Sequence, residues 1–341
     1  MSHVAFVVES SSRKPSLKNE GNTTNPLYSP PYMRLVTAAL LKRGHKVDIY
    51  NNAIEDTTIN GVRYRPISSD KRVNQADLVI VHNGAQDLPF FTFKRAAIWQ
   101  HNKTSFVKAW KRKELSALWR FRPDVICLSQ DAVEKTPNWL PYRKKQLIPH
   151  AIQDTYLAAA SSALDGKHMK AYFASRPSRN LDFLIRAWER YVHPNLPQAE
   201  LIICCPPSNS KPFPFDTLRL KNSNIHYIGS LEQSGLIELG RSSRMLCYPG
   251  HINETGCRVA LDAIGLGLPI VTCGIGSLKD LVSDKKTGFI EHSEKAYAMR
   301  VIECMTNNEL WKSLSEATLL HPWRQSYDQN ALLWESTFGL N

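Results

Sequence analysis

Apolar residues in the first half of the chain gather into short β-favouring runs. They lie at "HVAFVV" (3–8), "KVDIY" (46–50), "DLVIVH" (77–82), "AAIWQH" (96–101) and "DVICLS" (124–129). Runs this short, bounded by polar and turn-forming residues, predict buried strands. Between the first two, "PPYMRLVTAALLKRGHKV" (30–47) changes to helical spacing, with a Pro pair to open the helix and Gly44 to stop it. After "LIPHAIQDTYL" (147–157), a Pro-marked extended piece that predicts a linker, the alternation begins again. Strands are predicted at "HMKAYFAS" (168–175), "AELIICC" (199–205), "NIHYIG" (224–229) and "RMLCYPG" (244–250), with helices at "LDFLIRAWERYV" (181–192) and "LEQSGLIELGRSS" (231–243). A Pro- and Ser-rich loop is expected after residue 205. "HINETGCRVALDAIGLGLPIVTC" (251–273) then adds a loop, a helix and a strand. Strands alternating with helices predict an α/β chain of two Rossmann-like domains, each with a mostly parallel sheet whose ligands collect at the carboxyl ends of the strands. That rule singles out His82 and His101, although a lone histidine at a strand end also serves as an ordinary loop residue.

Composition supports two domains: 341 residues, 43% of them apolar, exceed one ordinary core. The opening "MSHVAFVVESSS" lacks the basic start and cleavage site of a signal peptide, and no window approaches the roughly 18 apolar residues of a membrane span. A soluble, cytoplasmic protein is the expectation. The seven cysteines form no C-x-x-C pair and are expected as buried thiols of a reducing compartment.

Charge is divided unequally. Residues 1–150 hold 24 Lys and Arg against 12 Asp and Glu, and the remainder holds 19 against 19, so the whole net charge of +12 sits in the first half. Such a half suits an anionic partner, whether phospholipid, acidic glycan or nucleic acid, or else simply carries a solvated charged surface. "KAWKRKELSALWRFR" (108–122) and "PYRKK" (141–145) interleave basic and aromatic residues as a membrane-facing surface does.

Candidate chemistry centres on 251–273. A loop feeding a helix N-terminus presents unpaired N–H groups to an anion, and Gly256 permits close approach. The loop "SRPSRN" (175–180), after another strand, offers Arg176 and Arg179, whose planar forks suit phosphate oxygens. Together these features point to a diphosphate. Glu254 and Asp262 cannot hold phosphates, since like charges repel, so they are expected to accept hydrogen bonds from hydroxyls on either side of the diphosphate, as in a nucleotide sugar. The plainer alternative makes Glu254 a helix-cap acid and Asp262 a solvent-facing residue.

The stretch "YPGHINETGCRVALDAIGLGLPIVTCGIGSLKDLVSDKKTGFI" (248–290) resembles the acid-x7-acid region of glycosyltransferase family 4, retaining nucleotide-sugar enzymes of the GT-B fold. "ASRPSRNLDFLIRAW" (174–188) is similar to the segment whose two cations grip the donor diphosphate in that family, "IPHAI" (148–152) to its interdomain link, and "RGHKVDIY" (43–50) to its second-strand entry. The resemblance implies two Rossmann-like domains facing across a cleft. An N-terminal, acceptor-binding domain would span 1–148 and a C-terminal, nucleotide-sugar-binding domain 149–320. A final segment from "HPW" on (321–341) would cross back to the first domain as a helix.

By the same resemblance the chain is a metal-independent, hexosyl-type transferase that needs no cofactor. It would move a sugar to a carbohydrate or lipid-linked acceptor, in cell-surface glycan or glycolipid synthesis at the inner face of the membrane, with no nucleic-acid partner. Glu254 would position the sugar, Asp262 the ribose, and Arg176 and Arg179, with the N–H groups of Thr255, Gly256, Cys257 and Arg258, the diphosphate. His101 would reach the sugar from the first domain. The departures are specific. Asp262 stands for the usual Glu, Arg179 for the usual Lys and Ser175 for a common Gly, and the polar stretch 7–32 replaces a glycine-rich loop. Two other classes share these features: a noncatalytic nucleotide-sugar-binding partner, and a nucleotide-sugar epimerase of GT-B-like fold.

Overall fold

The computed structural model describes residues 1–8, 29–51, 53, 55–67, 75–163, 168–205 and 213–341. Most of the polar stretch at 7–32 and the start of the loop expected after residue 205 therefore lie outside the described residues. The chain divides into two compact units, one of 1–150 with 327–341 and one of 151–326.

In the first unit the strands are β1 (His3–Val7), β2 (Lys46–Asn51), β3 (Thr57–Ile59), β4 (Val62–Pro66), β5 (Ala76–His82), β6 (Phe93–Trp99), β7 (Asp124–Cys127) and β8 (Lys145–Leu147). They form one sheet in the order β3-β4-β2-β1-β5-β6-β7-β8, parallel throughout except for the antiparallel pair β3–β4. Val4 to Val7 and Leu78 to Val81 are completely buried, as central strands covered on both faces must be. The helix Pro31–Lys42 starts on its proline and buries Met33, Val36 and Leu40, and Gly44 follows it at φ +90°.

The β3–β4 hairpin is an element that the pattern reading passes over, yet "TTINGVRYR" (57–65) carries its signal. Asn60 and Gly61, at φ +49° and +81°, supply the two left-handed residues of a tight hairpin turn. The three-residue strand β8 shows no periodicity and is placed only by its pairing with β7.

The C-terminal helix Tyr327–Phe338 belongs to this unit. Trp334 packs edge-on to Trp99 at 5.1 Å, and Glu335 accepts from Arg43 Nε at 2.6 Å and lies 2.8 Å from His45 Nε2.

The second unit holds β9 (Lys170–Ala174), β10 (Glu200–Cys204), β11 (Ile225–Gly229), β12 (Met245–Cys247), β13 (Ile270–Thr272) and β14 (Gly288–Ile290). All run parallel, in the order β11-β10-β9-β12-β13-β14. The order reverses between β9 and β12, so the loops leaving these two strands diverge and open a crevice at their carboxyl ends. The helix expected over 181–192 is α-helical only over Leu181–Ala187 and widens to a π-turn over Trp188–Val192. The helix expected within 251–273 is likewise shorter than its pattern, Arg258–Gly265, so Glu254 sits in the turn before it. All seven cysteines are buried and none forms a disulfide. Among the described residues, no helix is long and apolar enough to cross a membrane.

Both units are therefore doubly wound α/β sheets with a switch point. One buried charge marks the first unit's opposite, amino-terminal edge. Asp124, wholly buried, accepts from Arg95 Nε and Nη2 at 3.0 and 2.7 Å and from Arg143 Nε and Nη2 at 3.0 and 2.8 Å. Removing the acid leaves two guanidinium groups facing each other across its site. Asp124→Ala is expected to lower stability by about 3 kcal/mol in urea unfolding with an unchanged m-value. A loss below about 1 kcal/mol would show that water satisfies both arginines.

Candidate functional site

The switch point of the second unit brings two loops together, 175–180 after β9 and 248–257 after β12. Glu254, 8% exposed, is the centre of this crevice. Its Oε2 accepts from the Tyr248 phenol at 2.9 Å and lies 3.4 Å from Arg179 Nη1. Tyr248 is itself 2% exposed, stacks on Phe173 with ring centres 5.6 Å apart and lies 3.4 Å from Ser175 Oγ. Burial first, with a smaller push from Cys257 and Glu254, raises its pKa well above that of a free phenol, so the hydroxyl keeps its proton and donates it.

Arg179 also approaches His251 Nδ1 at 3.4 Å, and the N–H of Asn253 donates to the same nitrogen at 3.1 Å. Two donors on Nδ1 place the imidazole proton on Nε2.

The backbone of the turn is held from beneath. Ser277 N donates to Glu254 O at 3.1 Å, and Cys257 N donates to Ser277 Oγ at 3.2 Å. Gly276, at φ +66°, passes so close that a Cβ there would lie 2.5 Å from Glu254 O. Only glycine fits both the left-handed backbone and the approach.

The expected residues are thus not equivalent. Arg179 and Glu254 meet. Arg176 does not join them: its side chain is exposed and makes no ion pair among the described residues, while its carbonyl accepts from Arg179 N at 3.0 Å in a tight turn. Thr255 is 8% exposed, Gly256 is half-buried and Arg258 is exposed at the first residue of the helix. Of the four N–H groups expected to face an anion, that of Cys257 is occupied by Ser277. Tyr248, His251 and Ser277 are the residues that pattern reading passes over, and Ser175, noted there only as standing for a common Gly, turns out to lie against the phenol. Only the tyrosine had a visible signal, a phenol at a strand end beside a turn.

Asp262 lies about one turn into the helix Arg258–Gly265 and is half-buried. Although part of the residue reaches the surface, burial of its carboxyl raises the pKa from 3.8 to about 7, and the Arg258 charge offsets this only in part. The phenols of Tyr156 and Tyr172 are near enough for this charge to push their own pKa values further up, beyond what burial does. A carboxyl so poorly compensated is the kind of group that functional sites contain.

In the first unit, His101 follows β6 and belongs to an aromatic cluster. Its ring stacks on Tyr32 at 4.3 Å and lies 4.7 Å from His82 and 5.1 Å from His150. Asn83 Oδ1 accepts from His101 N at 2.7 Å, and the Tyr32 hydroxyl lies 2.7 Å from His82 Nε2. His82 and His101, singled out by position alone, therefore share one site at the carboxyl end of this sheet. Among the described residues, no group of three His, Cys, Asp or Glu is arranged to hold a metal.

Residues 159–320, most of the second unit, match the family model "Glycosyl transferases group 1". No curated protein matches the chain. Among solved structures, sucrose-phosphate synthase from Thermosynechococcus elongatus is similar with a TM-score of 0.70 at 13% identity, over 100% of both chains. WaaG, a glycosyltransferase involved in lipopolysaccharide biosynthesis, has a TM-score of 0.67 at 14% identity, over 99% of this chain and 100% of its own. Anabaena HepE in complex with UDP-glucose has 0.65 at 15%, over 100% of both. The chain has the GT-B fold, with two Rossmann-like units of parallel sheet, and the second unit carries the likeness to group 1 glycosyl transferases.

Proposed function

We propose that the protein is a retaining, metal-independent glycosyltransferase, moving a hexose-type sugar from a nucleoside diphosphate to an acceptor hydroxyl. The observation that carries this reading is the cluster of Arg179, Glu254 and Tyr248 at the switch point of a unit matched by the group 1 model. A fixed carboxylate beside a guanidinium is suited to a ligand with hydroxyls next to a diphosphate.

In this reading Arg179 leaves Glu254 for the diphosphate, Arg176 joins from the surface, and the N–H groups of Thr255, Gly256 and Arg258 add to them. Glu254, still held by Tyr248, orients the sugar hydroxyls, and Asp262 takes the ribose. The bond from the anomeric carbon to the phosphate oxygen breaks. The acceptor oxygen bonds to that carbon on the same face, and the acceptor's proton passes to the departing phosphate. The cations stabilise the charge on that phosphate, which is why no metal or cofactor is assigned. His101 contacts the transferred sugar during turnover. We extend the proposal to a carbohydrate or lipid-linked acceptor, to cell-surface glycan or glycolipid synthesis and to a cytoplasmic, peripheral place at the inner face of the membrane; WaaG, which shares the fold, is involved in lipopolysaccharide biosynthesis.

The donor is identified by thermal shift against UDP-, GDP- and ADP-sugars, since a ligand that binds only the native state raises its melting temperature. With that donor, Glu254→Ala and Arg179→Ala are expected to cut transfer at least about a hundredfold. Unchanged transfer in both removes the site assignment. Binding with no turnover on any acceptor identifies a noncatalytic partner, and release of a free epimer identifies an epimerase.

Asp262 generates a separate expectation. Its folded pKa, about 7, exceeds the ordinary 3.8, so between these values the native state holds a proton that the unfolded chain has lost. Stability is therefore lost as pH rises through this window, and the loss is complete above pH 7. Asp262→Asn removes the effect. Relative to the parent, the variant is expected to gain on the order of 2 kcal/mol between pH 4.5 and pH 8 in urea unfolding. A pH-independent difference would mean that the carboxyl ionises normally.

A further inference from the structure

Two short helices of the first unit, Phe106–Lys111 and Leu115–Phe121, seat one side on a common core. Ala109, Ala117 and Leu118 sink into the cluster that contains Leu88, Phe91 and Leu140. Trp110 and Trp119 instead stand 63% and 69% exposed, with Val107 at 54%. Exposed indoles are costly in water, and two on adjoining helices mark an interaction surface. The charge around them has one sign. Residues 103–122 contain seven Lys and Arg and a single acid, Glu114, which is buried with Arg112 Nη1 at 3.6 Å. Lys108, Lys111, Lys113, Arg120 and Arg122 are exposed.

We propose that these two helices dock on a bilayer containing anionic lipid, with Trp110 and Trp119 entering the interfacial region and the five exposed cations meeting headgroup phosphates. An indole is amphipathic, with a ring that suits the acyl boundary and an N–H that suits the headgroups. Lysine and arginine stems reach past buried rings to place their charges at the phosphates, where each adds to the attraction. Single-stranded nucleic acid offers phosphates as well, but proteins that bind it present their rings along a groove as a stacking surface. Here the rings project from helices.

The position of the helices adds a consequence. The first begins five residues beyond His101. Arg112 Nη1 donates to Asn83 O at 3.1 Å, and Asn83 Oδ1 accepts from His101 N at 2.7 Å. The docking face is thus tied to the carboxyl end of β5 and β6, and a lipid-linked acceptor held in the bilayer emerges beside the histidine cluster. That last clause rests on the glycosyl-transfer reading. The docking itself does not.

The test is co-sedimentation of the full chain with phosphatidylcholine vesicles, with and without phosphatidylglycerol, at low salt. The parent is expected to pellet only with the anionic vesicles and to shift its tryptophan emission to the blue. Trp110→Ala with Trp119→Ala, and separately Lys111→Glu with Arg120→Glu, are each expected to lower binding at least about tenfold. All four side chains are exposed, and an unchanged melting temperature, with any thermal shift by UDP retained, shows that the fold and the donor site are intact. A parent that stays in solution at low salt overturns the proposal. So does a tryptophan variant that pellets like the parent, and so does retention on a single-stranded oligonucleotide without vesicle binding. Loss of vesicle binding with donor binding kept separates this failure from failure of the transferase reading.

Discussion

A carboxylate kept nine-tenths out of water has to be met by donors, and the crevice of the second unit is organised around that demand at Glu254. Tyr248 donates from below, and its own burial keeps it protonated for the task. Arg179 supplies the balancing charge from the other loop. These partners differ in what they can give up. The phenol is fixed between Phe173 and Ser175, whereas the arginine lies at the edge with 29% of its side chain open to solvent. The carboxylate therefore has one permanent donor and one exchangeable one, so an incoming anion can draw the cation away without leaving the acid unpartnered.

That arrangement follows from sheet order. With β9 and β12 adjacent and their following segments leaving in opposite directions, any polar residues on the two loops face the same crevice. The first unit shows the same logic with different chemistry: β5 and β6 end in His82 and, two residues on, His101, and their loops bring the rings within 4.7 Å. Imidazoles and phenols tolerate close packing in a way that like-charged carboxylates do not, so this end of the sheet can be filled by aromatic stacking.

Parallel strands buried on both faces announce themselves as continuous apolar runs, which is why the central strands of both sheets were legible along with the helix that Pro31 opens. Edge elements carry less burial and so less pattern. The β3–β4 hairpin was marked only by its Asn60-Gly61 turn, and β8 by nothing local. In the site, charged residues with few structural uses stood out, and Arg179 and Glu254 do meet. Their supports were harder to see: Tyr248 had only its place at a strand end as a signal, and Ser277 none, because its importance arises from contact with a turn 20 positions away. Arg176 shows the converse: its residue type suggested a partner of Arg179, but the tight 176–179 turn leaves it on the surface.

The shorter acid at 262 can be understood in the same terms as Glu254, by asking which donors it has. Glu254 has a phenol and a guanidinium; among the described residues Asp262 is compensated by the Arg258 charge alone, which does not outweigh burial, and its pKa rises to about 7. A carboxyl whose pKa burial has raised gains most from a ligand bringing its own hydroxyl donors. Paired vicinal hydroxyls, such as those of a ribose, can each donate to one carboxylate oxygen, and doing so would favour the ionised form and expel a proton. On the proposed donor reading, part of the energetic work at Asp262 passes from the protein to its ligand, and binding there is coupled to the release of a proton.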